Sequence, residues 1–203
     1  MNWGLNRAAK VLGHVTDAYR PCGVSDPLNG SNRYLRLSAA FSQAEAGFHR
    51  AVGYGVAVWR GYFDAAYTRA GDYLSQDQGI WFIAAQQSLA PVLCVKTNRV
   101  ITITRMFFTT TGDPYAASPA KGGDQILTNW PASVLGINSG GKSSSGLPGD
   151  TTTAAWTILL PAVHGQILRV ADIVTDENGV TGTIIAVESG ELGWRLNVRQ
   201  VTT

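Results

Sequence analysis

Residues Gly136 to Ser143 read GINSGGKS and match the spacing G-x-x-x-x-G-K-[ST] of a phosphate-binding loop, with Lys142 and Ser143 in the two chemical positions. In such a loop backbone N–H groups wrap the phosphates, the lysine reaches the terminal phosphates and the hydroxyl binds magnesium. The chemistry requires a strand before the loop and a helix after it. Here SSGLPGDTTT follows, and Gly146, Pro148 and Gly149 forbid that helix. A partner carboxylate from ILRVAD, ending at Asp172, is interrupted by Arg169. The match is read as a Ser/Gly linker that contains a lysine.

Other reactive constellations are sparse. His14, His49 and His164 are far apart, and no G-x-S-x-G, H-E-x-x-H or C-x-x-C pattern occurs. The close acidic pairs, Asp176 with Glu177 and Glu188 with Glu191, fall in predicted turns or strand ends where charge is solvated. A carboxylate pair assembled from distant residues, as in a glycosidase, stays open. Cys22 and Cys94 fit neither a disulfide framework nor a metal-ligand spacing, and are read as ordinary thiols of a reducing compartment. No catalytic residue, cofactor or metal is expected. Trp81, Phe82, Arg99 and Arg105 offer stacking and charge for nucleic acid, but the two aromatics are adjacent and face opposite sides of a strand. One then belongs in a core and the other at an interface.

The elements that carry these residues are β in character. The chain has 203 residues, 45% hydrophobic and only 15% charged, with 23 glycines and a formal net charge of +2. That is enough for one ordinary domain or two small ones of turn-rich β structure. The charge is too small to argue for nucleic acid. Twelve of the sixteen basic residues are arginine, which suits a surface covered by partners or reflects codon usage. No run of about twenty apolar residues offers a membrane span, and MNWGLNRAAKVLGHVTDAY lacks the apolar core of a signal peptide.

Residues 1–20 are expected as an amphipathic helix, with Leu5, Ala8, Ala9, Leu12 and Val15 on one face. Residues 33–106 follow as a first β unit, ending in an antiparallel meander that turns at Gln76 to Gly79 and again at Thr97 and Asn98. Residues 151–203 form a second unit. Asp172 and Gly179 repeat Asp72 and Gly79 at the same spacing, and the strands after them correspond with a slip of one residue. In both copies the Asp is expected to tighten a turn. Between the units, residues 107–150 read as a long irregular central loop, rich in Gly, Pro, Ser and Thr. Its Phe107, Phe108, Tyr115 and Trp130 either anchor an interface or fold back as a lid. The expected fold is mainly β, one or two small antiparallel β-barrel or sandwich units with a short N-terminal α-helix.

The stretches LNRAAKVLGHVTDAYRP, FDAAYTRAGDYLSQDQGIWFIAAQQSLAPVLCVKTNRVITITR and ADIVTDENGVTGTIIAVESGELGWRLNVRQV resemble a family of uncharacterised virion structural proteins encoded in the morphogenesis regions of tailed bacteriophages and prophages. The resemblance covers somewhat under half of the chain, and its motifs are structural. It implies a barrel or sandwich subunit in a ring or sleeve of the neck or tail, as in head-completion and connector proteins. Partners would be other copies of itself and adjacent neck or tail proteins, with DNA passing without specific binding and no membrane involved. The protein would assemble in the host cytoplasm and reside in the virion. Arg105, Phe107, Phe108, Tyr115, Trp130 and Lys142 would carry contacts. The competing reading is a virion-associated receptor-binding or envelope-degrading module.

Overall fold

In the computed structural model, residues 3–43, 57–87, 90–106, 108–110, 117–119, 123–137, 155–162 and 165–200 are described. The helix α1, Trp3–Leu12, is followed by six strands: β1 (His14–Tyr19), β2 (Arg33–Gln43), β3 (Val58–Tyr62), β4 (Tyr73–Gln76), β5 (Gly79–Ala85) and β6 (Val92–Lys96). They close into an antiparallel barrel in the order β1-β2-β3-β6-β5-β4, sealed by β1 against β4. Then come β7 (Arg99–Arg105), the short strands β8 (Phe108–Thr110) and β9 (Ala117–Pro119), and β10 (Asp124–Ile137). The last four are β11 (Ala155–Leu160), β12 (Ile173–Asp176), β13 (Thr181–Gly190) and β14 (Gly193–Gln200). A second closed barrel runs β7-β10-β11-β14-β13-β12, while β8 and β9 form their own two-stranded sheet. The mainly β expectation holds, with two barrel units.

The barrels share one topology, strand for strand. The pairings of β1, β2, β3, β4, β5 and β6 are repeated by β7, β10, β11, β12, β13 and β14. One irregularity corresponds closely. The ladder skips a residue between Ile83 and Ala85 in one barrel and between Ile184 and Ala186 in the other. Such bulges sharpen the bend that closes a small barrel.

Inside the first barrel sit Ala18, Phe63, Leu74, Trp81, Ile83 and Cys94, with Phe41 stacked 4.2 Å from Trp81. The counterparts Ile103, Val174, Ile184 and Val198 fill the second. Trp81 faces into its barrel and Phe82 packs outward against the second, as opposite faces of a strand require.

Three expected boundaries move. The helix ends at Leu12 rather than near Tyr19, because from His14 the burial alternates with period two: Thr16 and Ala18 are buried while Val15 is exposed. Gly13 allows the switch, since its N–H closes the helix on the Ala9 carbonyl and a Cβ there would lie 2.8 Å from Ala39 backbone. Second, Thr97 and Asn98 are not a hairpin turn but the junction between barrels: β6 pairs with β3 and β5, and β7 with β10 and β12. Third, residues 107–150 are not one irregular loop, because residues 124–137 are β10, the longest of the described strands. Of Asn129 and Pro131, which suggest a loop in sequence, Asn129 falls in the second of two register shifts at φ 56°, and Pro131 keeps regular register opposite Val100. A deletion from Thr111 to Lys142 would therefore remove a wall of the second barrel.

Gly193 opens β14 at φ +116°, and a Cβ there would sit 2.2 Å from the Leu160 carbonyl oxygen. Both the conformation and the space exclude a side chain. Gly193→Ala is expected to lower stability by roughly 2 kcal/mol or more, from the strain of a non-glycine residue at this φ plus the clash, measured by urea unfolding. Gly136→Ala, with open space around its Cβ, serves as the control.

Candidate interaction surface

Each barrel is locked at the same corner by an arginine and a buried aspartate. Arg20 follows β1 and donates through Nε and a terminal nitrogen to both oxygens of Asp72, at 3.0 and 2.8 Å. Arg105 ends β7 and does the same to Asp172, at 2.8 Å each. The backbone N–H groups of Arg69 and Arg169 donate to these carboxylates three residues on. So the two aspartates do tighten turns, and each also takes an arginine fork. Gly71 and Ala171 precede them at φ 94° and 73° and donate to the carbonyls of Ile83 and Ile184. Tyr34 adds a third side-chain donor to Asp72 at 2.7 Å, and burial raises its pKa further from neutrality. The hydrogen bonds from Arg20 and Arg105 to their partners likewise raise the arginine pKa values. These charges brace the fold.

The barrels meet across a mostly apolar joint. The outer face of the first barrel supplies Tyr73, Phe82, Ala84 and Val95, which share one cluster with Trp130, Leu159 and Leu160 of the second. The Tyr73 hydroxyl donates to the Pro131 carbonyl at 2.7 Å, and its ring stands edge-on to Trp130 at 6.1 Å. The connection between β1 and β2 reaches over as well: the Val24 carbonyl accepts from the Trp130 indole N–H and from the Thr128 N–H. At the short junction the Asn98 side chain holds both backbone groups of Val134. Beside the joint lies an apolar cleft of about 500 Å³ between Phe82, Leu93, Leu159 and Trp194.

Of the residues expected to carry contacts, Trp130 is fully buried in this joint and anchors an interface within the chain. Arg105 is committed to Asp172 and the Ile167 carbonyl. Phe108 begins β8. Phe107, Tyr115 and Lys142 lie outside the described residues, as do His49 and His164. Gly136 and Ile137 of the loop-like motif are the last residues of β10 and pair with Trp156 and Ala155 of β11. The chain thus returns from this motif as an antiparallel strand, whereas a phosphate loop leads from a parallel strand into a helix. The acidic residues Asp72, Asp172 and Asp176 are buried, and each is paired with an arginine.

Among the described residues no group of three or more His, Cys, Asp or Glu is placed to hold a metal. No described helix is long and apolar enough to cross a membrane. Burial drives the Cys94 thiol pKa far up, which leaves it a small core hydrophobe, while Cys22 is exposed. Compared with family models, curated proteins and solved structures, the chain matches none.

The surface left for interaction follows from the repeat. On the second barrel the register counterparts of Ala70, Gly71, Tyr73 and Ala84 are Val170, Ala171, Ile173 and Ile185. Val170 is 60% exposed and Ile185 48%. On the first barrel the counterparts of Trp130, Pro131 and Pro161 are Leu37, Ser38 and Asp64, which line a groove of about 410 Å³ with Val15, Leu35 and Tyr67. Val15 is 65% exposed, and Val11 and Leu12 at the end of α1 are exposed nearby in sequence. Sequence alone offered the repeat of Asp72 and Gly79 as a signal for these positions, but not which face each strand presents.

Proposed function

We propose that the protein is a structural subunit of a tailed-bacteriophage virion, an oligomeric neck or tail connector that acts by assembly rather than catalysis. The observation that carries this reading is a pair of surfaces, one on each barrel, at the positions that form the joint inside the chain: exposed Val170 and Ile185 on the second, and on the first a groove of Val15, Leu37 and Tyr67 edged by Lys10, Arg36 and Asp64. The described buried charges are consumed in bracing the barrels, which suits a rigid building block. The resemblance to virion structural proteins in three segments supplies the setting. Copies would associate into a ring and join adjacent neck or tail proteins, with DNA passing through unrecognised. The weak net charge fits a channel to which phosphates do not adhere.

Light scattering of the purified protein, alone and mixed with the head and tail proteins encoded beside it, tests the proposal. A discrete ring in either sample is the expected result. A monomer that joins none of them, together with turnover of envelope glycan or peptidoglycan, would replace it with the envelope-degrading alternative.

A further inference from the structure

We infer that copies of this chain associate head to tail, with the second barrel of one copy docking on the first barrel of the next in the arrangement that joins the two barrels within the chain. The inference rests on the proposed role in assembly and names the surface that performs it. Its basis is the repeat. Inside the chain the Asp72 corner of the first barrel meets the second: Ala70 and Gly71 share a small cavity with Trp130 and Ala162, and a Cβ on Gly71 would lie 3.3 Å from the Ala162 carbonyl oxygen. The second barrel has the same corner, turned out to solvent, with Val170 and Ala171 in place of Ala70 and Gly71. The first barrel has the receiving surface, the groove of Leu37, Ser38 and Asp64, with Ala65 as the counterpart of Ala162. Each surface carries the register counterparts of one side of the internal joint.

The connecting segments agree. The link between β1 and β2 crosses the internal joint, where Val24 is bonded to Thr128 and Trp130 and Leu28 packs on the shared cluster. Its counterpart between β7 and β10 is longer and carries the β8–β9 hairpin, which belongs to neither barrel. The joint between copies is the weaker one, because Phe82, Leu93 and Val95 are replaced on the second barrel by Thr183, Asn197 and Arg199. That is the composition of a surface which must stay soluble before it assembles. A head-to-tail contact uses different patches on its two sides and generates a ring where the rotation closes.

The test uses full-length protein in which Cys22→Ser removes the exposed thiol. Ala65→Cys and Val170→Cys are made separately and treated with a short bismaleimide. Covalent dimers are expected in the mixture of the two variants and in neither alone, and the doubly substituted protein should give a ladder of multimers. Val170→Asp should reduce association at least tenfold with the thermal transition unchanged, which separates lost docking from lost folding. Dimers formed by either single variant alone would mean a symmetric contact and overturn the inference. Absence of cross-links in samples where light scattering finds a ring would overturn this joint while leaving assembly intact. A monomer without cross-links would overturn the joint and self-association together.

Discussion

Arg105→Met is expected to destabilise the protein by about 3–5 kcal/mol, the range for removing one partner of a buried ion pair, and Arg20→Met by distinctly less. Both guanidinium groups fork onto a buried aspartate, so each substitution strands a carboxylate away from water. The stranded groups differ in what remains. Asp72 keeps the Tyr34 hydroxyl and the Arg69 N–H, and the Arg69 guanidinium lies 3.8 Å away. Among the described residues, Asp172 keeps only the Arg169 N–H. Urea unfolding of the two variants beside the unsubstituted protein measures both losses. Equal losses in the two variants would show that Tyr34 contributes nothing to the first clamp.

Trp130→Ala is expected to cost about 3–5 kcal/mol, as for large buried aromatics, and to loosen the coupling between barrels. The side chain fills the joint, stands edge-on to Tyr73 and donates to Val24 of the other barrel. Calorimetry of the intact protein should give one transition, because either barrel unfolding alone exposes the joint. The variant should give two, or one much broader. Trp130→Phe keeps most of the ring and loses the hydrogen bond, at roughly 1 kcal/mol. If Trp130→Ala still melts in one sharp transition, the Asn98 junction rather than the aromatic contact couples the barrels.

Much of this fold was legible in sequence. The matched Asp72 and Asp172, and the slip of one residue after Gly79 and Gly179, correspond to real equivalences: Ser75 pairs with Ile80 where Thr175 pairs with Thr181, so the slip lies in the turn that leads into β5 and β13. What local patterns could not reveal was which strands belong together. The run through Thr97 and Asn98 has the alternation of a hairpin, and only closure of each barrel, through β1 with β4 and β7 with β12, separates β6 from β7. For β10 the polar and proline-containing stretch around Trp130 hid a strand, because register shifts and burial against another barrel override strand propensity. Arg105 was singled out at the edge of a supposed loop. Its counterpart Arg20 was not, since the two lie at unequal distances from their aspartates and only the fold aligns them.

The order of the strands bears on synthesis. All six strands of the first barrel precede Thr97, so it contains every pairing it needs before any residue of the second has been made. Its outer Tyr73, Phe82 and Val95 must then wait, uncovered, until Trp130 and Leu159 arrive. On the ribosome this interval exposes an aromatic patch on an otherwise finished body, the kind of nascent intermediate that sticks to its neighbours. A chain stopped after Asn98 should therefore be compact yet sparingly soluble, and the translation rate across residues 99–160 governs how long that vulnerable form persists.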